Sequence, residues 1–258
     1  MLLAIDSGNT NTVFAIFDND SNLKGEWRSS TDTSRTSDEF GVWLEQLLKI
    51  KNISRTDIKA AIIATVVPAM LFALKDLCNK YFECEPLVVG DARVDLGLDV
   101  QIEKPSQAGA DRLVNAVAAF ETYGGPLIVI DFGTATTFDV VGNDGSYQGG
   151  AIAPGINLSM EALHQAAAQL PRIEVKRPST VIGKNTIDSM LSGTFWGYIG
   201  MIEGLVVRLQ EEMGVGKVRV ISTGGLAPLF SENCDVIEVA DADLTLRGLL
   251  AIFRRNRK

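Results

Sequence analysis

The sequence predicts an α/β protein of two similar domains, and an internal repeat is the main observation behind that prediction. An apolar strand that ends in Asp6, a glycine turn and a second apolar strand open the chain, and the same pattern returns from Val129. Segments 4–12 and 129–137 align, each with the order strand, Asp-x-Gly, hydroxyl-rich turn and strand. Stretches with helical periodicity lie between the two copies and after the second one. A repeat on this scale indicates two similar units, not a solenoid.

Length, composition and charge set the broad class of protein. The 258 residues suit two modest domains or one large one. A hydrophobic content of 46% and a charged content of 22% are ordinary for a protein with a substantial core. The formal net charge of -8 disfavours a broad nucleic-acid surface, which needs a basic patch. It leaves phosphate ligands possible, because backbone amides and a metal ion can bind phosphate without a net positive charge.

Cysteine usage and hydropathy indicate the compartment. Cys78, Cys84 and Cys234 form no CxxC pair and have no His/Cys cluster beside them, so we interpret them as free thiols in a reducing environment. The first strand has no basic leader before it, and we interpret no apolar run as long enough to span a bilayer. We therefore expect a cytoplasmic protein with neither a membrane nor a nucleic acid as partner.

The first domain is predicted over 1–117 and carries the first glycine turn. Its elements follow from alternation in strands, 3.6-residue spacing in helices and turn residues between them. In order, we predict strands at 2–5, 13–17 and 23–28, a helix at 38–50, a strand at 59–67, a helix from Pro68 to 82, a strand at 87–89 and a helix from 113 that ends near Gly124. Pro68 fits the first turn of its helix, and the glycine fits a helix end.

The second domain is predicted over 118–258 and repeats the strand–turn–strand opening. It also carries a third glycine turn, Thr223-Gly224-Gly225-Leu226, directly after a strand. In order, we predict strands at 126–131, 135–141 and 146–153, a helix at 155–168, one or two helices within 183–213, strands at 218–222 and 236–239, and a helix at 244–254.

The three glycine turns are suited to a nucleotide. Backbone N–H groups in such a turn can cradle phosphate oxygens, and a carboxylate such as Asp6 can hold a hydrated cation. Thr10 and Thr12 offer hydroxyls beside Gly8. An ordinary hairpin explains the first turn alone equally well. The echo at Asp131 favours two carboxylate-tipped hairpins that face each other across a cleft, as a nucleoside triphosphate with a cation requires.

Six motifs, in this order along the chain, resemble those of the type III pantothenate kinase family. They are Asp6-x-Gly8-Asn9-Thr10, Gly109-Ala110-Asp111-Arg112, Asp131-Phe132-Gly133-Thr134-Ala135-Thr136, Gly149-Gly150-x-Ile152-x-Pro154-Gly155, Gly183-x-Asn185-Thr186 and Thr223-Gly224-Gly225-Leu226. The family lies in the superfamily of actin, the seventy-kilodalton heat-shock proteins and sugar kinases. The resemblance implies an actin-like ATPase fold, with two ribonuclease-H-like domains and a nucleotide cleft between them.

The resemblance implies a kinase that converts ATP and pantothenate to ADP and 4′-phosphopantothenate, the first step of coenzyme A biosynthesis. Asp111 corresponds to the general base for the primary hydroxyl of pantothenate, and Arg112 to a residue that binds the substrate through its guanidinium. The alternative is structural, with Asp111 stabilising a helix N-terminus and Arg112 as its ion-pair partner.

The resemblance also assigns the remaining binding residues. The nucleotide contacts are Asp6, Ser7, Gly8, Asn9, Thr10, Asn11, Thr12, Val13, Thr134, Gly224 and Gly225, and the pantothenate contacts are Gly109, Ala110, Asp111, Arg112 and Thr186. Asp6 would organise Mg²⁺–ATP, and Asp131 would help to bind a monovalent cation, K⁺ or NH₄⁺. For Thr186 a helix N-cap is the alternative, and both roles are compatible.

Two further features concern the acceptor and the assembly. Ile102 stands where many family members have a Tyr, so a phenol contact to the substrate is absent. The apolar stretch 193–204 has glycines at helical spacing. Packing between core helices explains that stretch, and so does a homodimer interface. The resemblance implies a homodimer, and two-fold symmetric homodimers are the commonest oligomers.

Two other functions stay open at this point. One is a regulatory or binding homologue that keeps the fold without efficient turnover, since a divergent branch of the family acts in transcriptional activation. The other is a kinase for a different small hydroxyl substrate, which the isoleucine at 102 motivates. The presence of Asp6, Asp111, Arg112 and Asp131 together favours catalysis.

Overall fold

The computed structural model describes residues 1–167 and 170–257 of the chain. The predicted end of one helix at Ala168 therefore lies outside the described residues. The strands are β1 Leu2–Ser7, β2 Asn11–Phe17, β3 Leu23–Ser30, β4 Ala60–Thr65, β5 Leu87–Val88, β6 Leu127–Phe132, β7 Ala135–Val141, β8 Tyr147–Pro154, β9 Arg219–Gly224 and β10 Val239–Ala240. The helices are α1 Ser37–Ile50, α2 Pro68–Phe82, α3 Ala110–Tyr123, α4 Ile156–Ala166, α5 Thr186–Met213, α6 Ala227–Ser231 and α7 Leu244–Asn256.

The strands form two five-stranded sheets of the same topology. One sheet has the order β3-β2-β1-β4-β5, and the other has the equivalent order β8-β7-β6-β9-β10. In each, the first three strands pair antiparallel and the remaining two add in parallel. The predicted α/β class and the internal repeat are thus confirmed. Asp6 and Asp131 occupy equivalent positions, one residue before the last of β1 and of β6.

The chain packs as two compact units whose limits differ from the predicted domains 1–117 and 118–258. The first unit contains residues up to Leu98, Lys104–Ala118 and the segment from Leu244 onward. The second contains Asp99–Glu103 and Ala119–Asp243. The main difference is α7, which was assigned to the second domain. Its apolar face packs in the first unit's core, and periodicity alone shows such a face without showing which sheet covers it.

The core of the first unit covers both faces of its sheet. Leu3 and Ile5 of β1 pack on one side with α1 and α2, whereas Leu2 and Ala4 pack on the other side with α3 and α7. Side chains alternate between faces along a strand, so burial on both faces explains why β1 is apolar at every position up to Asp6. The two layers hold the end of β1 in place.

Helix α5 is the one helix among the described residues that is long and apolar enough, by length and composition alone, to cross a membrane. The expectation that no segment reaches that length is therefore wrong. A core helix passes the same test, and the buried face of α5 packs in the core of the second unit. Its members include Phe195, Ile199, Ile202 and Val206.

Candidate active site

The turn after β1 presents polar backbone at the end of the first sheet. Asp6 is half-buried and pairs with Val13 of β2 on one side and with Ala64 of β4 on the other. The N–H of Gly8 donates to the carbonyl of Asn11 at 3.0 Å and closes the turn. Asn9 and Thr10 are exposed at its tip. The turn can therefore offer main-chain groups to an anion beside a carboxylate.

A chain of hydroxyl groups supports this turn from within the protein. The hydroxyls of Ser7 and Thr12 lie 3.0 Å apart, and the Thr12 hydroxyl lies 3.0 Å from that of Thr31. Thr31 in turn donates to the carbonyl of Gly8 at 2.7 Å. Ser7 and Thr12 are fully buried. The expectation that Thr12 offers its hydroxyl to a ligand is thus wrong, because that hydroxyl is enclosed and supports the turn.

Thr31 is a residue that the sequence interpretation missed. Besides its side-chain bond to Gly8, its N–H donates to the carbonyl of Thr10 at 2.9 Å. The residue directly follows β3, where Ser30 pairs with Asn11. The only signal in the sequence was its place at the start of a polar loop, and strand register was needed to place it under the turn.

The packing of the chain itself does not require a glycine at position 8 or at position 133. A Cβ atom at Gly8 would meet only the carbonyl oxygen of Asn11, at 3.4 Å. At Gly133 the nearest atom would be the carbonyl oxygen of Ala135, at 3.5 Å. Ordinary van der Waals spacing is satisfied at both positions. The glycines therefore leave space beside each turn, while their own N–H groups are paired with the carbonyls of Asn11 and Ala135.

Asp111 lies in the first turn of α3, and its carboxylate is held by the main chain. The N–H of Arg112 donates to Oδ1 at 2.8 Å. Burial raises the pKa of this carboxyl group above its ordinary value, and the bond from the Arg112 N–H and the charge of Arg112 offset only part of that effect. A carboxylate that is desolvated and fixed in this way is suited to accept a proton. One part of the structural alternative is realised too, since the same oxygen accepts from a main-chain N–H at the helix N-terminus.

Val66 connects the first turn to the segment before Asp111. Its N–H donates to the carbonyl of Ser7 at 3.1 Å and so extends β4 alongside β1. Its Cγ1 lies 3.6 Å from the position that a Cβ atom would take at Gly109. The first unit thereby brings the turn at Asp6 and the Gly-Ala-Asp-Arg segment to the same end of its sheet.

Asp131 lies at the corresponding end of the second sheet. It pairs with Thr137 of β7 and with Thr223 of β9. Its Oδ1 lies 2.7 Å from the position of a Cβ atom at Gly224, whose φ is +90°. Gly224 is therefore required both by its left-handed backbone and by the carboxylate above it. Gly225, by contrast, has no heavy atom within 4 Å of such a position and is exposed.

The carboxylates of the two turns are the candidate metal ligands of this site. Among the described residues there is no group of three or more His, Cys, Asp or Glu side chains that could hold an ion. Magnesium in kinases is held by one or two carboxylates together with substrate phosphates, and Asp6 fits that requirement. A monovalent cation also prefers oxygen ligands, and Asp131 supplies a carboxylate beside the main chain of Gly224.

Thr186 is the first residue of α5, and it is exposed. The cap of this helix is Asn185, whose side chain accepts from the N–H of Asp188 at 2.9 Å. The alternative that Thr186 itself is the N-cap is therefore wrong. Thr186 lies in the first turn of α5, and its hydroxyl is not required as a cap because Asn185 has that role.

Solved structures share the fold of this chain. The activator of the 2-hydroxyisocaproyl-CoA dehydratase from Clostridium difficile, solved with bound ADPNP, aligns with a TM-score of 0.57 over 99% of this chain and 95% of its own, at 14% identity. A Campylobacter jejuni protein described in the Baf family of transcriptional activators aligns with a TM-score of 0.62 over 98% of both chains, at 20% identity. Such identities show the fold alone. The fold is that of the actin-like ATPases, as expected.

Sequence comparison then gives the particular family. The chain belongs to the type III pantothenate kinase family, whose model matches residues 2–208. The type III pantothenate kinase of Paramagnetospirillum magneticum is 67% identical over 99% of this chain and 98% of its own length. That of Rhodospirillum rubrum is 63% identical over 100% and 99%. The family resemblance and the assignment as a kinase are confirmed, and membership of a kinase family implies the use of ATP.

Proposed function

We propose that this protein transfers the γ-phosphoryl group of ATP to the primary hydroxyl of pantothenate, giving ADP and 4′-phosphopantothenate, the first step of coenzyme A biosynthesis. The observation that carries the proposal is the state of Asp111 in a chain of this family. Its carboxyl group is buried, has a raised pKa and is fixed by the N–H of Arg112. Phosphoryl transfer depends mostly on positioning and charge neutralisation, and it also uses a carboxylate that accepts the proton of the acceptor hydroxyl.

Asp111 acts in this proposal as the general base. Its Oδ1 is held at the start of α3, so the second carboxylate oxygen accepts the proton as the hydroxyl oxygen attacks phosphorus. Arg112 binds the carboxylate of pantothenate, since a guanidinium can make two parallel hydrogen bonds to it. Gly109, Ala110 and Thr186 complete the acceptor contacts. Thr186 is exposed at the start of α5, so its hydroxyl is accessible to a ligand.

The glycine turns bind the nucleotide in this proposal. The first turn, with its flanking residues from Asp6 to Val13, and the turn at Thr134 contact the phosphate groups, while Gly224 and Gly225 lie against the adenosine. Asp6 would hold Mg²⁺, directly or through water, and Asp131 would hold K⁺ or NH₄⁺. Bound cations neutralise charge that develops on the transferred phosphoryl group. Ser7 and Thr12 contribute by supporting the turn, because their side chains are buried.

The same proposal includes a cytoplasmic homodimer. Helix α5 has an exposed glycine face at positions 193, 197 and 200, where an added Cβ atom would meet nothing within 4 Å. Small residues at this spacing allow two helices to approach closely, and two-fold dimers are the commonest oligomers. The cytoplasm is the compartment that supplies ATP, and the three cysteines are free thiols.

A second acceptor is the one alternative with an observation in its favour. Ile102 presents an aliphatic group and packs beside Gly149 of β8, with its Cγ2 3.3 Å from the position of a Cβ there. The test is a product assay by mass spectrometry, with ATP and a panel of small alcohols that includes pantothenate. We expect 4′-phosphopantothenate as the dominant product. Phosphorylation of another member of the panel in its place would favour the alternative acceptor.

A further inference from the structure

One peptide group joins helix α5 to the second glycine turn. The Tyr198 hydroxyl donates to the carbonyl of Pro154 at 2.7 Å. The N–H of that same peptide group, on Gly155, donates to the carbonyl of Thr134 at 3.1 Å. The two bonds lie on opposite ends of one rigid peptide plane. Tyr198 thus reaches the turn through a single intermediate group.

The contact between Gly155 and the turn is close. A Cβ atom at Gly155 would lie 2.2 Å from the carbonyl oxygen of Thr134 and 2.7 Å from that of Gly133. Pro154 also pairs with Ala135 in the β7–β8 ladder. The turn therefore rests directly on the Pro154–Gly155 peptide, and a shift of that peptide displaces the turn.

A second hydroxyl completes the connection. Ser159 of α4 lies 2.8 Å from the Tyr198 oxygen and 3.1 Å from the carbonyl oxygen of Gly155, and its hydroxyl can donate to either. The tyrosine ring stacks near Phe230, with centroids 6.2 Å apart. The ring is therefore placed by packing, and the hydroxyl is left to fix the peptide. Successive hydrogen bonds through one peptide strengthen one another.

We propose that Tyr198 is a positioning residue for nucleotide binding: its hydroxyl holds the Pro154–Gly155 peptide, and through it the Thr134 turn, in the conformation that receives ATP. The inference rests on the proposed function, which assigns Thr134 to the nucleotide. None of the six motifs includes Tyr198, and no contact with substrate is assigned to it. Loss of its hydroxyl affects how the turn is held, not the groups that react.

The test is the affinity for Mg–ATP, measured by titration calorimetry in the full-length protein. Tyr198→Phe keeps the ring and removes only the hydroxyl. We expect about a three- to tenfold weaker Kd for Mg–ATP, the effect of one lost hydrogen bond. KM for ATP rises by the same factor, whereas kcat at saturating ATP changes less than twofold. Ser159→Ala weakens binding in the same direction and provides the test if the phenylalanine variant does not fold.

Tyr81→Phe is the matched control. The Tyr81 hydroxyl donates to Asp38 at 2.8 Å and joins α2 to α1 in the first unit. We expect wild-type affinity for Mg–ATP in this variant. An unchanged Kd in Tyr198→Phe, or an equal loss in Tyr81→Phe, would overturn the inference. Absence of Mg–ATP binding in the wild-type protein would instead contradict the proposed function itself.

Discussion

The Oδ1 atom of Asp111 lies 2.6 Å from the position that a Cβ atom would take at Gly109. No real Cβ atom approaches a carboxylate oxygen so closely, so the side chain of residue 109 and the present orientation of Asp111 exclude each other. The Cγ1 atom of Val66 lies 3.6 Å from the same position. The glycine therefore permits the present orientation of the candidate base, which the Arg112 N–H holds.

Replacing this glycine should impair catalysis without loss of nucleotide affinity. In Gly109→Ala the new methyl group displaces the Asp111 carboxylate, and a misplacement of about 1 Å costs on the order of 10²-fold in rate. We expect kcat to fall by about that factor, with the Kd for Mg–ATP within about twofold. Gly216→Ala is the control, because a Cβ atom there meets nothing within 4 Å. Equal activity of the two variants would remove the steric role of Gly109.

Removing the candidate base should have a larger effect. Asp111→Asn keeps the size of the side chain and its contact with the Arg112 N–H, but it cannot accept a proton. General-base catalysis contributes about 10²–10⁴-fold, so we expect kcat to fall by that range while Mg–ATP binds nearly as well as before. Steady-state kinetics and calorimetry measure the two quantities. Near-normal turnover would exclude Asp111 as the base.

The activity should decrease as the pH is lowered through the pKa of Asp111. The base works only when ionised, and burial raises the pKa of Asp111 above 3.8. We therefore expect log kcat/KM to decline on the acid side with a midpoint above that value, as long as the fold persists. The acid limb should be absent from the residual activity of Asp111→Asn. The same limb in both proteins would assign it to another group.

The raised pKa of Asp111 also predicts whether this residue stabilises or destabilises the fold. A carboxyl group whose folded-state pKa exceeds its unfolded value stabilises the fold only while protonated, and that contribution is lost as pH rises through the folded pKa. Burial desolvates the Asp111 carboxyl group and disfavours its charged form. We expect Asp111→Asn to have a Tm at pH 7 no lower than that of the wild type, by calorimetry. A clear drop in Tm would show that the charge stabilises the fold.

Much of this architecture could be predicted from local sequence patterns. The exceptions share one physical cause, because each depends on contacts between segments that are distant in sequence. The repeat of Asp6 at Asp131 predicted two equivalent sheets because strand, turn and register are local properties. The unit to which α7 belongs depends on which sheet its apolar face covers. No residue within the helix records that choice.

The supporting residues of the site were missed for the same reason. Thr31 contacts Gly8 only because β3 pairs with β2 and returns the chain to the turn. Tyr198 reaches Pro154 across 44 positions of sequence. The motifs themselves were visible as glycines beside carboxylates, whereas the groups that hold them in place are ordinary hydroxyl residues in ordinary helices and loops.

The hydroxyl chain beneath the first turn should couple stability to nucleotide affinity. Thr31→Val removes the 2.7 Å bond to the carbonyl of Gly8 and keeps the shape of the side chain. A lost hydrogen bond of this kind costs about 1 kcal/mol, so we expect a lower free energy of unfolding by about that amount and a several-fold weaker Kd for Mg–ATP. Thr33→Val, at an exposed position of the same loop, should change neither. Wild-type Mg–ATP affinity in Thr31→Val would separate the chain of hydroxyls from nucleotide binding.

The exposed glycine face of α5 permits a clean test of the proposed dimer. A side chain at Gly197 points into open space, since nothing lies within 4 Å, so Gly197→Arg should leave the protomer folded. We expect a dimer for the wild type and a monomer for the variant by light scattering at micromolar concentration, with matching circular dichroism spectra. A monomeric wild type would contradict the proposed dimer. A variant that remains dimeric would show that the interface lies outside this face of α5.

The most direct measurement of the central claim is ADP release by the wild-type protein with Mg–ATP and K⁺, with and without pantothenate. The proposed mechanism requires ADP release that depends on pantothenate, in equal amount with 4′-phosphopantothenate, and its loss in Asp111→Asn. ADP release that pantothenate does not change would indicate an ATPase or a kinase for another acceptor. No ADP release under either condition, from a protein that binds Mg–ATP, would indicate a binding or regulatory role and contradict the account.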